Sequence, residues 1–246
     1  MELKKITGGS SLTHAAYEQL RDDVLSGAVR PGQKLKIHEL IERLGANQGA
    51  VREALSRLAS EGLVVSEPQK GFRACPISAA ELKDLTRVRI EIESLCLRRA
   101  IELGDLRWES ELLAAWHELS RTPEKAFADE TQPASARMTE SWSSVHSRFH
   151  AALIASCDSP WLLRLRAQLF AQAERYRRLS VPLQQSRRDT NEEHLRMMEA
   201  VIARDAQKAC DMLAAHFNRT SEILLKALDL EASEPPSPAK AAAGAL

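Results

Sequence analysis

At 246 residues with 44% hydrophobic composition, the chain is long enough to build two domains, each with its own core. Basic and acidic residues balance at 34 each, and a net charge of +0 excludes a protein that coats nucleic acid or membranes non-specifically, while leaving room for a local basic patch. An aromatic share of 4% excludes a stacking platform for single strands, and no run of about eighteen uncharged apolar residues marks a membrane span.

The N-terminal stretch has charge but no apolar run, so no signal peptide is expected, and residues 1–11 are expected to form a flexible arm. Cys75, Cys96, Cys157 and Cys210 are far apart and form no C-x-x-C pair, which suits reduced core residues of a cytoplasmic protein. A first domain is expected over residues 12–78. From Thr13 a helix carries Ala16, Leu20, Val24 and Leu25 on one face and stops at Ser26 and Gly27. Pro31 and Gly32 then turn the chain. Leu40, Ile41 and Leu44 make a second stripe that stops at Gly45, and Val51, Ala54, Leu55 and Leu58 make a third. Gly62 ends that helix, Leu63 to Ser66 suits a strand, and Pro68 to Gly71 turns the chain back through Phe72. Two short helices, a tight turn and a hairpin predict a winged helix-turn-helix.

Such a motif sets the N-terminal residues of its second helix against base edges in the major groove. Asn47, Gln48 and Arg52 face outward there: Arg can fork onto guanine, and Asn or Gln can pair with adenine. Lys36, Arg57, Lys70 and Arg73 suit phosphates, which set register. The plainer reading is a small helical domain with a solvated polar face.

Ser78 with Glu81 has capping-box spacing and marks the domain boundary. From Ala79 onward the period is helical, no strand pair is visible, and an all-α antiparallel bundle is expected over 79–228. Candidate helices run 79–103, 106–120, 138–156, 160–179, 190–203 and 206–228. Pro123 to Ser135 reads as a polar loop, Ser159 as an N-cap before Pro160, and Thr190 with Glu193 as a second capping box. Residues 229–246 lack the large apolar side chains that ordering requires and are expected to be disordered.

Polar residues inside apolar stripes are the informative ones, because burying them unsatisfied is costly. His146 and His150 share one helix face with Trp142, Phe149 and Leu153; His194 lies in line with Met198 and Val201, and His216 with Met212, Leu213 and Ile223. Singly, each reads as a hydrogen-bonded core histidine. Together, an i, i+4 pair and two histidines from other helices can converge on a divalent transition metal: zinc first, with nickel or another metal as alternatives. Zinc proteases carry H-E-x-x-H with a glutamate as general base; here that place holds Ser147, which argues against a hydrolase. Arg89 falls on the stripe of Leu82, Leu85, Ile92 and Cys96, where its guanidinium needs an anion: either Glu93 at i+4 or the carboxylate of a bound ligand. Arg175, Arg177 and Arg178 around Tyr176 are similar candidates or a solvated helix end.

The stretches YEQLRDDVLSGAVRPGQKL, GAVREALSRLASEGLV and QKGF resemble the N-terminal domain of the GntR family of bacterial transcriptional regulators, and residues 79–228 look like the helical FCD effector domain of its FadR-type branch. The likeness implies a dimeric, ligand-responsive regulator on palindromic double-stranded DNA and no enzyme activity. Metal-containing members use one acidic residue and three histidines. Phe149–His150, the E-E-H at His194 and the A-A-H at His216 match that pattern, but His146 stands where Asp is usual. The W-x-x-x-H-x-x-F-H run is similar to a sub-branch that includes a carbon-starvation-induced repressor, so His146 is kept as a ligand. Arg89 matches an arginine that approaches the ligand's carboxylate in relatives, which implies an organic acid effector, with a dicarboxylate as the leading class. In the reading helix, Asn47, Gln48, Gly49, Ala50, Val51 and Arg52 replace a common S-R-T-P-V-R run, and His38 stands where some members have an arginine on DNA. Lys70 and Gly71 of QKGF complete the implied DNA surface. The reading is a homodimeric repressor of a catabolic operon relieved by its effector; a metal-dependent enzyme or a metal sensor using the same histidines is the alternative.

Overall fold

The computed structural model describes residues 9–127, 136–180 and 188–233. The chain divides into two compact units, Met1–Ile77 with Ala171–Arg178, and Ser78–Phe170 with Leu179–Leu246. Most of the expected arm and tail, 1–8 and 234–246, lies outside the described residues. Their flanks are helical: helix α1 is Gly9–Ser26 rather than starting at Thr13, and helix α9 is Ala206–Ser233 rather than ending at 228.

In the first unit α1 is followed by β1 (Lys34–Leu35), α2 (Ile37–Leu44), α3 (Gln48–Ser60), β2 (Val64–Glu67) and β3 (Gly71–Ala74). The expected hairpin pairs Val64 with Ala74 and Ser66 with Phe72. A third strand joins it, with Lys34 opposite Arg73, in the order β1-β3-β2. A two-residue strand is too short to show alternation in the sequence. The predicted stripes converge: Leu20, Val51, Ala54, Leu55, Leu58 and Leu63 are buried in one core, each such leucine contributing about 1.5–3 kcal/mol.

The second unit comprises α4 (Ala79–Leu103), α5 (Leu106–Arg121), β4 (Lys125–Phe127), β5 (Ala136–Met138), α6 (Glu140–Ala152), α8 (Thr190–Ile202) and α9, with the start of α7 (Pro160–Ser180). Ser78 caps α4, its side chain accepting from the Glu81 amide at 3.0 Å, and Ser159 accepts from Leu162 at 3.4 Å. The absence of strands expected for this domain is corrected by the antiparallel pair β4–β5, Ala126 opposite Arg137; strands of three residues leave no periodic trace. The expected Thr190–Glu193 box is also displaced by one residue. Asp189 caps α8 by accepting from the Glu192 amide at 2.9 Å, and the Thr190 hydroxyl donates to Glu124. Helix α4 packs on α9, α5 on α6 and α8, and α8 on α9, enclosing Leu97, Leu112, Phe149, Met197, Val201 and Leu213. All four cysteines are free thiols, buried except for Cys75. Burial pushes Cys96 up to about 12, with neighbouring Cys157 adding to it, so this thiol is unreactive. Among the described residues, no helix is long and apolar enough to cross a membrane.

Candidate nucleic-acid surface and histidine cluster

Helix α3 is set by its ends. Gly45 closes α2 at φ 59°, a left-handed conformation that costs glycine little, and Asn47 then accepts a hydrogen bond from the Ala50 amide at 2.9 Å as the N-cap of α3. Asn47, read from sequence as a base reader, therefore spends its side-chain oxygen on the helix. Burial of Val51, Ala54, Leu55 and Leu58 leaves Gln48, Gly49, Arg52 and Ser56 exposed along the opposite face. Lys36 is exposed and pairs with Glu39 at 2.7 Å, and His38 stands beside the same carboxylate at 3.9 Å. Arg57 is held across the Tyr17 ring at 3.7 Å and near Glu61 at 3.4 Å. Lys70 and Gly71 are exposed at the tip of the β2–β3 hairpin, where Gly71 takes φ 90°. Arg73, expected on phosphate, instead donates to the Gly32 carbonyl at 2.5 Å and ties down the approach to β1.

In the second unit the four predicted histidines meet. His146 and His150 on α6, His194 on α8 and His216 on α9 are 3%, 1%, 0% and 6% exposed, and one ring nitrogen from each lies within 4.8 Å of the others. The Nε2 atoms of His146 and His150 are 3.1 Å apart. Two nitrogens bound to one ion at about 2.1 Å stand roughly 3.0 to 3.4 Å apart, so this pair already has the spacing of adjacent ligands. The Nδ1 of His150 is buried without a hydrogen-bond partner among the described residues. Burial, then the neighbouring His194 and His216, holds His150 well below the usual 6.5. His216 is also lowered, chiefly by burial, with Glu193 opposing and Arg188 assisting. These neutral imidazoles are in the form that ligates, and the cluster could hold a metal ion.

Glu193 and Arg188, which sequence reasoning did not place at the cluster, orient it. His216 Nδ1 is 2.9 Å from Glu193 Oε2. Arg188 grips Glu193 through two bonds of 2.9 and 2.7 Å and also donates to Thr220 and the His216 carbonyl, and Arg219 reaches the same carboxylate at 2.7 Å. Burial alone would push Glu193 up, but hydrogen bonds from His216, Arg188 and Arg219 win and hold it well below the usual carboxylate range. An ionised Glu193 assigns the proton of His216 to Nδ1 and frees Nε2 to face the cluster, the arrangement that fixes metal-ligating histidines elsewhere. The signal available was Glu193 itself, directly before His194. Trp142 stacks on His146 with centroids 4.5 Å apart, and with Arg188, Thr190, Glu124 and Arg121 it lines a cleft of about 550 Å3.

Three predicted arginines find protein partners. Arg89 Nε lies 2.5 Å from Glu93, the i+4 alternative, and its guanidinium covers the Phe217 ring at 3.8 Å. Arg175 is buried and donates to the Cys75 carbonyl at 3.3 Å within the first unit. Arg177 pairs with Glu174. The Arg178 side chain lies outside the described residues. One arginine was missed: Arg166 is 8% exposed, 3.4 Å from Glu93 Oε2 and 4.3 Å over the Phe170 ring.

Comparison with known proteins decides what carries this cluster. Residues 12–73 match the bacterial regulatory proteins of the gntR family, and residues 84–219 match the FCD domain. The chain belongs to the GntR family. It is 34% identical over 214 residues to the HTH-type transcriptional regulator BphR of Paraburkholderia xenovorans (strain LB400), covering 87% of this chain and 85% of that protein. It is also 34% identical over 216 residues to the HTH-type transcriptional repressor GlaR of Escherichia coli (strain K12), covering 86% and 95%. The solved structure of E. coli McbR/YncC superposes with a TM-score of 0.69 at 23% identity over 89% of this chain and 99% of that one, a likeness of fold. This GntR-family protein is thus a DNA-binding transcriptional regulator with an FCD effector domain, and its relatives are regulators rather than enzymes.

Proposed function

We propose that this regulator is a homodimeric repressor of a catabolic operon that holds a zinc or nickel ion on His146, His150, His194 and His216 and leaves DNA when a small organic acid reaches that centre. The observation that carries the reading is the convergence of four buried imidazoles, one of them oriented by Glu193, inside the effector domain. An all-nitrogen donor set suits late first-row ions and disfavours magnesium or calcium. The ion would supply a Lewis-acidic centre for a carboxylate; arginines bordering the cluster would receive further negative charge. Gln48, Gly49 and Arg52 are the proposed base readers, with Lys36, His38, Arg57, Lys70 and Gly71 setting register on the backbone and Asn47 holding the helix that carries them. Two such heads would read half-sites about one helical turn apart. The acid acts by its differential affinity for the dimer geometries that do and do not fit DNA.

Purified protein is incubated with sheared DNA of its source organism, the retained fragments are sequenced, and metal is measured by elemental analysis. A few palindromic sites, about one metal ion per chain and release by an organic acid are expected. Diffuse recovery, or a chain without metal, overturns the reading.

A further inference from the structure

We propose that the cleft beside the first turn of α6 is the route by which an ion enters and leaves the histidine cluster, and that the indole of Trp142 is the gate across it. The inference rests on the metal-centre reading above. The four histidines are between 0% and 6% exposed, so an ion exchanges only when a covering side chain moves aside. Trp142, Phe149, Phe170 and Phe217 stand against their rings. Phe149 meets His150 and His194 at 5.6 and 5.2 Å between centroids. Phe170 and Phe217 stand 6.4 and 5.9 Å from His150, the first beneath the Arg166 guanidinium and the second beneath that of Arg89. Trp142 stacks on His146 with centroids 4.5 Å apart and planes at 21°, and alone of these rings it lines the cleft of about 550 Å3.

Trp142, His146 and His150 stand one turn apart on α6, so the helix face that begins in the cleft ends in the cluster. The Thr139 hydroxyl oxygen accepts from the Trp142 amide at 3.1 Å, which fixes the backbone and leaves the side-chain rotamer as the coordinate that changes. Arg188 also lines the cleft and reaches His216, but swinging it aside would break two bonds to Glu193 and those to Thr220 and the His216 carbonyl. The indole meets the cluster by stacking, a contact given up at much smaller cost. Turned toward the cleft, the ring has room to enter it, and His146 becomes the first imidazole an incoming ion meets. Glu124 and Asp189 face the cleft together with Arg121 and Arg188, so its balanced charge neither traps a cation nor repels one on the way.

The test uses the full chain and cobalt(II), whose visible absorption reports uptake by metal-free protein and, after addition of excess EDTA, release from loaded protein. Trp142→Ala is expected to speed both uptake and release by about tenfold, the equivalent of one aromatic stacking contact, and to leave the dissociation constant where it was. Trp142→Phe, which keeps a ring on His146, is expected to stay within about threefold of wild type. Phe170→Leu, which removes a ring that does not line the cleft, is expected to change neither rate. If Trp142→Ala does not fold, as judged by circular dichroism, Trp142→Leu carries the test. Faster release with unchanged uptake would make Trp142 a support for His146 and overturn the gate. Unchanged rates in the Trp142 variants, or faster exchange in Phe170→Leu alone, would overturn it as well. A wild-type chain that takes up neither cobalt nor zinc overturns the metal-centre reading itself.

Discussion

The two units place polar side chains in opposite ways. The first keeps an apolar interior of Val51, Ala54, Leu55 and Leu58 and displays Gln48, Arg52 and Lys70, all exposed, on its outside. The second draws His146, His150, His194, His216, Glu93, Arg166 and Arg188 indoors, where each buried polar group must be satisfied by a neighbour or a ligand. An exposed reader can change without unfolding the domain, and so can follow an operator sequence. A buried cluster can change only together with its partners, and so can hold one kind of ligand.

The sharpest contrast is expected from His194→Ala, which removes one of the four imidazoles and should strip the metal from the purified chain, together with any rise of melting temperature on metal addition. Full metal content by elemental analysis would refute the centre. In metal-free protein the same cluster sets a pH dependence. His150 and His216, held below 6.5, stay neutral when folded while the unfolded chain takes up protons, so stability is present above about 6.5 and lost as pH falls below it. A melting temperature that is flat or rises across that range would show that the imidazoles are not buried neutral.

Next in size, Leu55→Ala should cost the first unit about 2–5 kcal/mol by denaturant unfolding and leave metal content intact, because its cavity opens in the other core. Loss of metal as well would break the separation of the two units. Arg52→Ala should weaken operator binding by about 1–3 kcal/mol in an anisotropy titration without lowering the melting temperature. Unchanged affinity would remove Arg52 from the readout. Smallest, Asn47→Ala should cost about 1 kcal/mol of stability through the lost cap and leave base preference as it was. A changed preference would return Asn47 to the DNA surface.

Much was legible in the chain because periodicity and caps are local. The stripes of α1, α2 and α3, the Ser78 and Ser159 caps and the four inward histidines follow from spacing alone, while the family came from the likeness of whole stretches to known regulators. Strands β1, β4 and β5 were not legible, since two or three residues cannot show a period. The assignment of Ala171–Arg178 to the first unit was not legible either, because an unbroken amphipathic helix announces no boundary. Spacing determined that His146, His150, His194 and His216 point into a core and that Arg89 needs an anion. Only the tertiary structure decided that the histidines meet within 4.8 Å, that Glu93 satisfies Arg89, and that Glu193, Arg188 and Arg166 stand around them. The Glu193–His216 and Arg166–Glu93 contacts join residues 23 and 73 positions apart, and the distances that set their strength exist only once helices from distant parts of the chain have packed.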